Sequence, residues 1–152
     1  MTDKQLTSIL SFFISKEIFA FDTDTVRNIL EPGKITPVPN TKDFFMGVIN
    51  LHGNIIPVVD LRKIMGINDA QINKDTVIVV VSNDGQNDSL IGMIVDGVKE
   101  VISLTEDYAL QDTIIETNDR SSLNITFKGT LRLNDSFIHI INLDDLVGEI
   151  EK

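Results

Sequence analysis

Few side chains in this sequence are of the types that catalyse reactions or bind metals. The 152 residues include two histidines, His52 and His139, and no cysteine, so a disulfide framework and a thiolate metal site are both excluded. Neither histidine belongs to a spacing that is typical of metal ligands. A lone histidine in a turn or strand is usually a surface residue or a hydrogen-bonded core residue. The histidines therefore predict no metal centre.

The carboxylates are more numerous, but their spacing does not favour a shared reaction. Asp22 and Asp24 begin like a calcium-binding loop, yet the fifth position of that loop would be Val26 and the sixth, which requires glycine, is arginine. Helix capping explains these aspartates better. The adjacent pair Asp144 and Asp145 has side chains that diverge in either a helix or a strand, which does not favour a shared proton.

Sequence motifs for phosphate binding or nucleophilic catalysis are missing as well. No glycine-rich phosphate loop and no Gly-x-Ser-x-Gly elbow occurs. Because an enzyme needs reactive groups that converge, the sequence predicts a binding module with no catalytic residue, no cofactor and no metal. The alternative from another class, a small-ligand sensor or an enzyme, would show a polar cavity lined by several acidic residues.

The most organised stretch of the chain is Val48–Arg62, in which two apolar runs flank a His-Gly-Asn break. Gly53 and Asn54 tolerate positive φ, so the pattern predicts a β-hairpin with its reversal at these residues. The second strand, Ile55–Asp60, is largely apolar on both faces. Its second face needs a cover, either another sheet of the same protein or another protein.

Two residues of this second strand carry further predictions. Pro57 cannot donate a hydrogen bond to a strand ladder, which favours a sheet edge or a bulge. Asp60 is a good N-cap, so a short helix is predicted from Leu61 to Met65, ending at Gly66.

Short strands are predicted through most of the remaining chain. They cover Ile9–Ile14, Glu17–Phe21, Thr76–Val81, Leu90–Val95, Leu123–Phe127, Thr130–Leu133 and Phe137–Ile141. The fifth and sixth are either two strands or one strand bent at Gly129. Helices are predicted from Val26 to Leu30, after capping residues 22–25, and over Leu143–Ile150 with Asn142 as the cap.

The other segments are less regular. Ile35–Pro39 contains two prolines and is predicted to be an extended edge segment. At least one of Phe44 and Phe45 is predicted to lie in the core. Val98–Leu104 fits a helix and a strand equally, and Tyr108–Ser122 is predicted to be a long loop. The pattern as a whole predicts a mainly β fold, either a sandwich or barrels.

Length, composition and charge narrow the class of protein. Residues 1–152 fit one domain, and 42% hydrophobic residues with a mean hydropathy of +0.10 favour a packed core. The net charge of −10 lies mainly in the second half: residues 1–75 have 8 basic and 9 acidic side chains, and residues 76–152 have 5 and 14. Such a field repels phosphate backbones, so nucleic-acid binding is not predicted.

Targeting signals and membrane spans are not evident in the sequence. The start lacks a basic region followed by an apolar block, and no apolar run approaches the ~20 residues that span a bilayer. We expect a cytoplasmic protein with no direct membrane insertion.

The hairpin stretch resembles the signature of the CheW-like domains, the coupling proteins of bacterial chemotaxis. The signature is carried by Gly47–Gly53 and Ile55–Arg62, and other segments resemble the family in the same order: Phe19–Asp22 with Val26 and Ile29, Ile35–Asn40, and Gly92–Val98. The resemblance covers essentially the whole chain. It implies two small SH3-like β-barrels packed side by side, with a core between them that would cover both faces of the second hairpin strand.

The same resemblance implies a function. It implies a non-catalytic adaptor that couples methyl-accepting chemotaxis receptors to a CheA-type histidine kinase, and so reaches membrane receptor arrays through its partners. The partner-binding residues that it implies are Val26, Asn28, Val48, Asn50, Leu51, His52 and Gly53. The structural alternative is that Val26, Val48 and Leu51 fill the core. The functional alternative is an adaptor of a non-flagellar array, such as one for pilus motility, or of another sensor kinase.

Two positions depart from the family's pattern. The family usually carries arginine between the leucine and glycine of the hairpin motif, and often glutamate two residues after the valine that aligns with Val26. This sequence has His52 and Asn28 there. An exposed ion pair contributes only ~0.2–1 kcal/mol, so losing both charges together costs little. We expect His52 and Asn28 to be neighbours in a partner-binding patch matched to an altered receptor.

Overall fold

The structure, a computed structural model, describes residues 8–39, 41–84, 89–104 and 127–151. Within these ranges it has ten strands and two α-helices. The elements are β1 Ser8–Ile14, β2 Glu17–Asp22, β3 Val26–Leu30, β4 Phe45–Leu51, β5 Asn54–Asp60, α1 Leu61–Ile64, β6 Val77–Ser82, β7 Leu90–Val95, β8 Gly97–Ser103, β9 Phe127–Leu133, β10 Ser136–Ile141 and α2 Leu143–Ile150. The predicted mainly β class is confirmed.

The strands form two five-stranded sheets. The first sheet has the order β8-β1-β2-β10-β9 and the second has the order β3-β6-β7-β5-β4. Neighbouring strands are antiparallel except β2 with β10 and β5 with β7, which are parallel. Two side-by-side β units are what the family resemblance implies. Over the described ranges no strand pairing closes either sheet into a complete barrel.

Three apolar clusters hold these sheets together. The first sheet has a small cluster that includes Ile9 and Ile138, and the second has one that includes Val58 and Val80. A larger shared core joins the two sheets and α2. Its members include Leu10, Phe12, Phe19 and Phe21 of the first sheet, Val59, Val79, Val81 and Met93 of the second, and Leu143, Leu146 and Val147 of α2.

Strand β5 shows how one strand serves two cores. Successive side chains of a strand point to opposite faces, so Val58 packs in the cluster of the second sheet while Val59 packs in the shared core. The prediction that both faces of this strand are covered is confirmed for these residues. Ile55, at the start of the strand, is 65% exposed.

Most of the predicted elements are confirmed to within a residue or two. Asp60 caps α1 by accepting a hydrogen bond from the Arg62 N–H, and Asn142 caps α2 in the same way. The ambiguous stretch Val98–Leu104 lies mainly in β8. Gly129 lies inside a single strand, β9, with a register irregularity opposite β10. The predictions for residues 108–122 and 123–126 lie outside the described residues.

The helix predicted from Val26 to Leu30 is wrong. The Asp22 carboxylate does accept a hydrogen bond from the Asp24 N–H, but the turn that it caps is a 3-10 turn of three residues, Thr23–Thr25. The chain then continues as β3, which pairs antiparallel with the β-branched strand β6. The capping signal was real, and pairing with a strongly β-forming neighbour overrode the helical spacing that followed it.

The predicted sheet edge at Pro57 is wrong, since β5 lies between β4 and β7. The alternative, a bulge, has a counterpart in the pairing, because the register of β4 against β5 shifts between Phe45 and Gly47, next to the Val48–Pro57 pair. Pro57 is opposite Val48 of β4. The Val48 N–H and C=O both bond to Thr36, at 2.9 Å each, so they point away from Pro57 and require no donor from it. The pairing of β5 with β7 begins at Val58. Proline therefore fits an interior strand at a position where neither neighbour needs its missing N–H.

We expect both sheets to unfold in one transition, because they share a core. Met93→Ala removes a fully buried side chain from that core. It should lower the free energy of unfolding by about 2–5 kcal/mol. Urea unfolding followed by circular dichroism and by amide hydrogen exchange measures the change in each sheet.

The matched control is Val101→Ala, since Val101 is 61% exposed on β8. It should change the free energy of unfolding by no more than about 0.5 kcal/mol. Two separate transitions, of which Met93→Ala shifts only one, would contradict a single folding unit.

Candidate partner-binding surface

The tip of the β4–β5 hairpin is the two-residue turn His52–Gly53. Leu51 pairs with Asn54, and the φ angles of His52 and Gly53 are 53° and 87°. Two positive φ angles define a type I′ turn, which matches the twist of the flanking strands. The Asn50 carboxamide oxygen accepts a hydrogen bond from the Gly53 N–H at 2.9 Å. The turn thus lies one residue earlier than predicted, because His52 adopts the left-handed conformation that was assigned to Asn54.

The turn presents its side chains to solvent, and β4 divides its own side chains between core and surface. His52 and Asn50 are exposed. Ile49 and Leu51 pack against the cluster of the second sheet, so the alternation of the strand directs Val48 and Asn50 to the opposite face. Val48 is half-buried. Leu51 therefore contacts the core, and its part in partner binding stays a prediction.

Strand β3 carries the other two predicted site residues. Val26 is half-buried and packs against the shared core, and its part in partner binding likewise stays a prediction. Asn28 is exposed, and its neighbour Ile29 is 45% exposed. In the pairing order β3 is an outer strand of the second sheet, with β6 beside it.

Asn28 thus lies on one outer strand of the second sheet, β3, and His52 lies in the turn that follows the other, β4. Leu30 of β3 and Leu51 of β4 pack against the same apolar cluster. Among the hydrogen bonds of the described residues none joins Asn28 to His52. That these side chains are neighbours stays a prediction.

The predicted extended segment Ile35–Pro39 contacts the outer edge of β4. Thr36 forms a β-bridge with Val48, as expected for an edge segment. The contact depends on Gly47, whose φ is 139° and whose missing side chain leaves room for the Thr36 carbonyl. A Cβ at Gly47 would lie 2.1 Å from that oxygen. The motif glycine therefore permits a close backbone approach, a role that sequence reasoning did not assign.

Sequence reasoning also missed a groove of about 880 Å³ beside the hairpin. It lies between the hairpin, the end of β6, the start of β7 and α2, and its apolar lining includes Phe44, Ile55, Pro57 and Ile150. The one signal of this groove in the sequence was Ile55, an apolar residue beside the turn. The prediction that Phe44 or Phe45 lies in the core is confirmed, since both pack against the shared core.

Groups that could bind a metal do not converge in the described residues. Over the described ranges, no three His, Asp or Glu side chains are placed to hold a metal ion. His139 contacts the rings of Phe19 and Phe127, which also contact each other, and its Nδ1 lies 3.1 Å from the Thr130 hydroxyl. It is a hydrogen-bonded, partly buried residue.

In the part of the chain that the structure describes, no helix has the length and apolarity to cross a membrane.

Comparison with known proteins gives one consistent result. Residues 8–151 match the family of CheW-like domains. The chain is 34% identical over 142 residues to a chemotaxis protein CheW of Thermotoga maritima, covering 93% of this chain and 88% of that protein. It is 28% identical over 147 residues to a chemotaxis protein CheW of Helicobacter pylori, covering 95% and 84%. The fold is similar to the crystal structure of scaffolding protein TtCheW from Thermoanaerobacter tengcongensis, with a TM-score of 0.72 and 32% identity over 91% of this chain and 90% of that one.

Gly47→Ala tests the contact that supports β4. The new Cβ would overlap the Thr36 carbonyl, and alanine is strained at this φ. We expect a loss of about 2 kcal/mol or more in the free energy of unfolding and faster exchange of the Thr36 and Val48 amides.

Gly33→Ala is the matched control, because nothing lies within 4 Å of a Cβ built there. It should change stability by no more than about 0.5 kcal/mol. Equal effects of the two substitutions would show that the close approach of Gly47 to Thr36 is not required.

Proposed function

The chain belongs to the CheW-like domain family, and on that premise we propose that this chemotaxis scaffold protein couples methyl-accepting receptors to a CheA-type histidine kinase. It has no catalytic activity of its own, and it acts in the cytoplasm, at receptor arrays that it reaches through its partners. The proposal rests mainly on the β4–β5 hairpin. Its turn, His52–Gly53, is exposed, and the nearby Val48 faces away from the apolar cluster of the second sheet. Residues 1–152 act as one domain.

The partner surface consists of Val48, Asn50, His52 and Gly53 on the hairpin and Asn28 on β3. Val26 and Leu51 support it from beneath, because both pack against apolar cores. A rigid turn with its strands anchored in a core loses little conformational entropy when it binds, which favours affinity. Val48 is the apolar anchor, and the polar side chains around it form the rim.

Charge also favours this surface. Residues 1–75, which contain β3, β4 and β5, are nearly neutral, whereas residues 76–152 carry most of the net charge of −10. A neutral surface with one apolar anchor meets less long-range repulsion from an acidic partner than the rest of the molecule does.

A second candidate is an adaptor of a non-flagellar array or of another sensor kinase. His52 and Asn28, which replace the charged residues that the family usually carries, favour a partner different from the common one. The two candidates share the surface and differ only in the partner that binds it.

The test is affinity capture from the source organism with the tagged protein as bait. The wild-type bait should recover a CheA-type kinase and a methyl-accepting receptor. Val48→Glu should fold and bind the kinase at least about 10-fold more weakly, because an unpaired charge would enter the interface. Titration calorimetry with the purified kinase measures the affinity.

Val101→Glu is the matched control, since it makes the same change at an exposed position of the first sheet. It should bind like the wild type. If Val48→Glu folds and binds normally, the partner surface lies elsewhere. Recovery of neither kinase nor receptor by the wild-type bait would contradict the proposed function.

The substitutions His52→Arg and Asn28→Glu restore the family's usual charges. If the two side chains are neighbours, the double variant should be more stable than the two single variants predict, with a coupling energy of about 0.5 kcal/mol or more. Receptor-dependent activation of the kinase should change in the same non-additive way.

Urea unfolding of the four proteins gives the coupling energy. Purely additive effects on stability and on kinase activation would show that Asn28 and His52 do not act as a pair. Full activation of the wild-type complex by receptors that bind ordinary family members would contradict a matched receptor.

A further inference from the structure

Asp96 is the residue at which the chain passes from one sheet to the other. Strand β7 ends at Val95 in the second sheet, and β8 begins at Gly97 in the first. Asp96 is the single residue between them. Its backbone N–H donates a hydrogen bond to the Phe13 carbonyl of β1, at 2.9 Å. The crossing point is therefore fixed to the first sheet by its backbone.

The side chain of Asp96 bonds to both sides of this junction. One carboxylate oxygen, Oδ1, accepts a hydrogen bond from Nη1 of Arg62 at 3.1 Å. The other, Oδ2, accepts from the N–H of Ser15 at 2.6 Å. Arg62 follows β5 of the second sheet, and Ser15 lies in the turn between β1 and β2 of the first. One carboxylate thus joins the two sheets at their common end.

Arg62, which binds Asp96, is fixed by further hydrogen bonds. It is 2% exposed, and its Nε and Nη2 donate to the two carboxylate oxygens of Asp60 at 2.9 and 3.0 Å. Its Nη1 also donates to the Gln71 carbonyl at 3.0 Å. Burial opposes the charged guanidinium, but the hydrogen bonds and charges of Asp60 and then Asp96 outweigh it and raise the pKa of Arg62 above its ordinary value. The guanidinium is charged at every pH at which the protein works.

Arg62 and Asp60 form a buried ion pair, and the half-buried Asp96 carboxylate extends it. A buried ion pair is often no more stabilising than apolar residues of similar volume, and its best attested use is to select one arrangement among several. The shared core attracts the two sheets without a preferred direction. Hydrogen bonds to a carboxylate are directional, so they define how the sheets lie at this junction.

We propose that Asp96 is a positioning residue, which sets the orientation of the first sheet relative to the second by linking Ser15 to Arg62. The hairpin surface belongs to the second sheet, so its placement relative to any contact made by the first sheet depends on this link. This consequence for partner binding rests on the proposed function, whereas the link itself does not.

The variant that tests the link is Asp96→Ala. Arg62 keeps its two hydrogen bonds to Asp60, so the buried guanidinium stays paired and we expect the fold to be retained. Asp43→Ala is the matched control, because it also removes an aspartate carboxylate. That carboxylate belongs to an ion pair at the surface, in which Asp43 Oδ1 lies 3.8 Å from Lys63 Nζ. Asp96→Asn is a milder second variant, since it keeps an oxygen that accepts from the Ser15 N–H and removes the charge that faces Arg62.

The readout is the distance between spin labels on the two sheets in the isolated protein. The chain has no cysteine, so Lys128→Cys on β9 and Asn54→Cys on β5, both exposed, give two unique labelling sites. Pulsed electron paramagnetic resonance should give one narrow distance distribution for the parent and for Asp43→Ala. Asp96→Ala should broaden or shift the distribution, and Asp96→Asn should do so to a smaller extent.

Binding of the kinase supplies an independent measurement. If Asp96→Ala leaves the competent orientation in about a tenth of the molecules, the apparent affinity falls about 10-fold. An unchanged distance distribution in folded Asp96→Ala would overturn the proposal. If Asp96→Ala does not fold, an unchanged distribution in folded Asp96→Asn would overturn it. A parent protein that binds no kinase would overturn the proposed function alone, because the distances are measured without a partner.

Discussion

The shared apolar core is the constraint on which the rest of the structure depends. Each five-stranded sheet has a small cluster of its own, and the largest set of fully buried aromatic residues lies between the sheets. Phe12 and Phe21 contact each other there, with ring centres 4.9 Å apart and ring planes tilted by 32°. Because strand side chains alternate, strands such as β5 can supply both their own cluster and the shared core. The two sheets therefore require each other for burial.

This arrangement suits a protein that acts as a scaffold. The three apolar clusters bury much of the strand surface, while the His52–Gly53 turn is exposed. The His52–Gly53 turn is held by Asn50 and by two paired strands, so it presents its side chains in one conformation. A rigid turn on an anchored hairpin suits recognition of a partner better than it suits chemistry, which needs several groups to converge.

Polar interactions act at a few positions where direction matters. Thr36 approaches the β4 backbone only because Gly47 has no side chain. Arg62 and the half-buried Asp96 form an ionic link where the chain changes sheets. In both cases the apolar core supplies the attraction, and a small number of specific contacts define the geometry.

The sequence by itself determined the strand-rich class, the hairpin, the caps at Asp60 and Asn142, and the absence of a thiolate or known catalytic motif. These features depend on local pattern, which a sequence displays directly. Tertiary structure decided the rest. It made a strand of the segment that begins at Val26, because β6 was available to pair with it, and it admitted Pro57 to an interior strand, because Thr36 had taken the hydrogen bonds of the residue opposite. Such outcomes depend on contacts between residues that are far apart in the sequence, and the local spacing of residue types does not reveal those contacts.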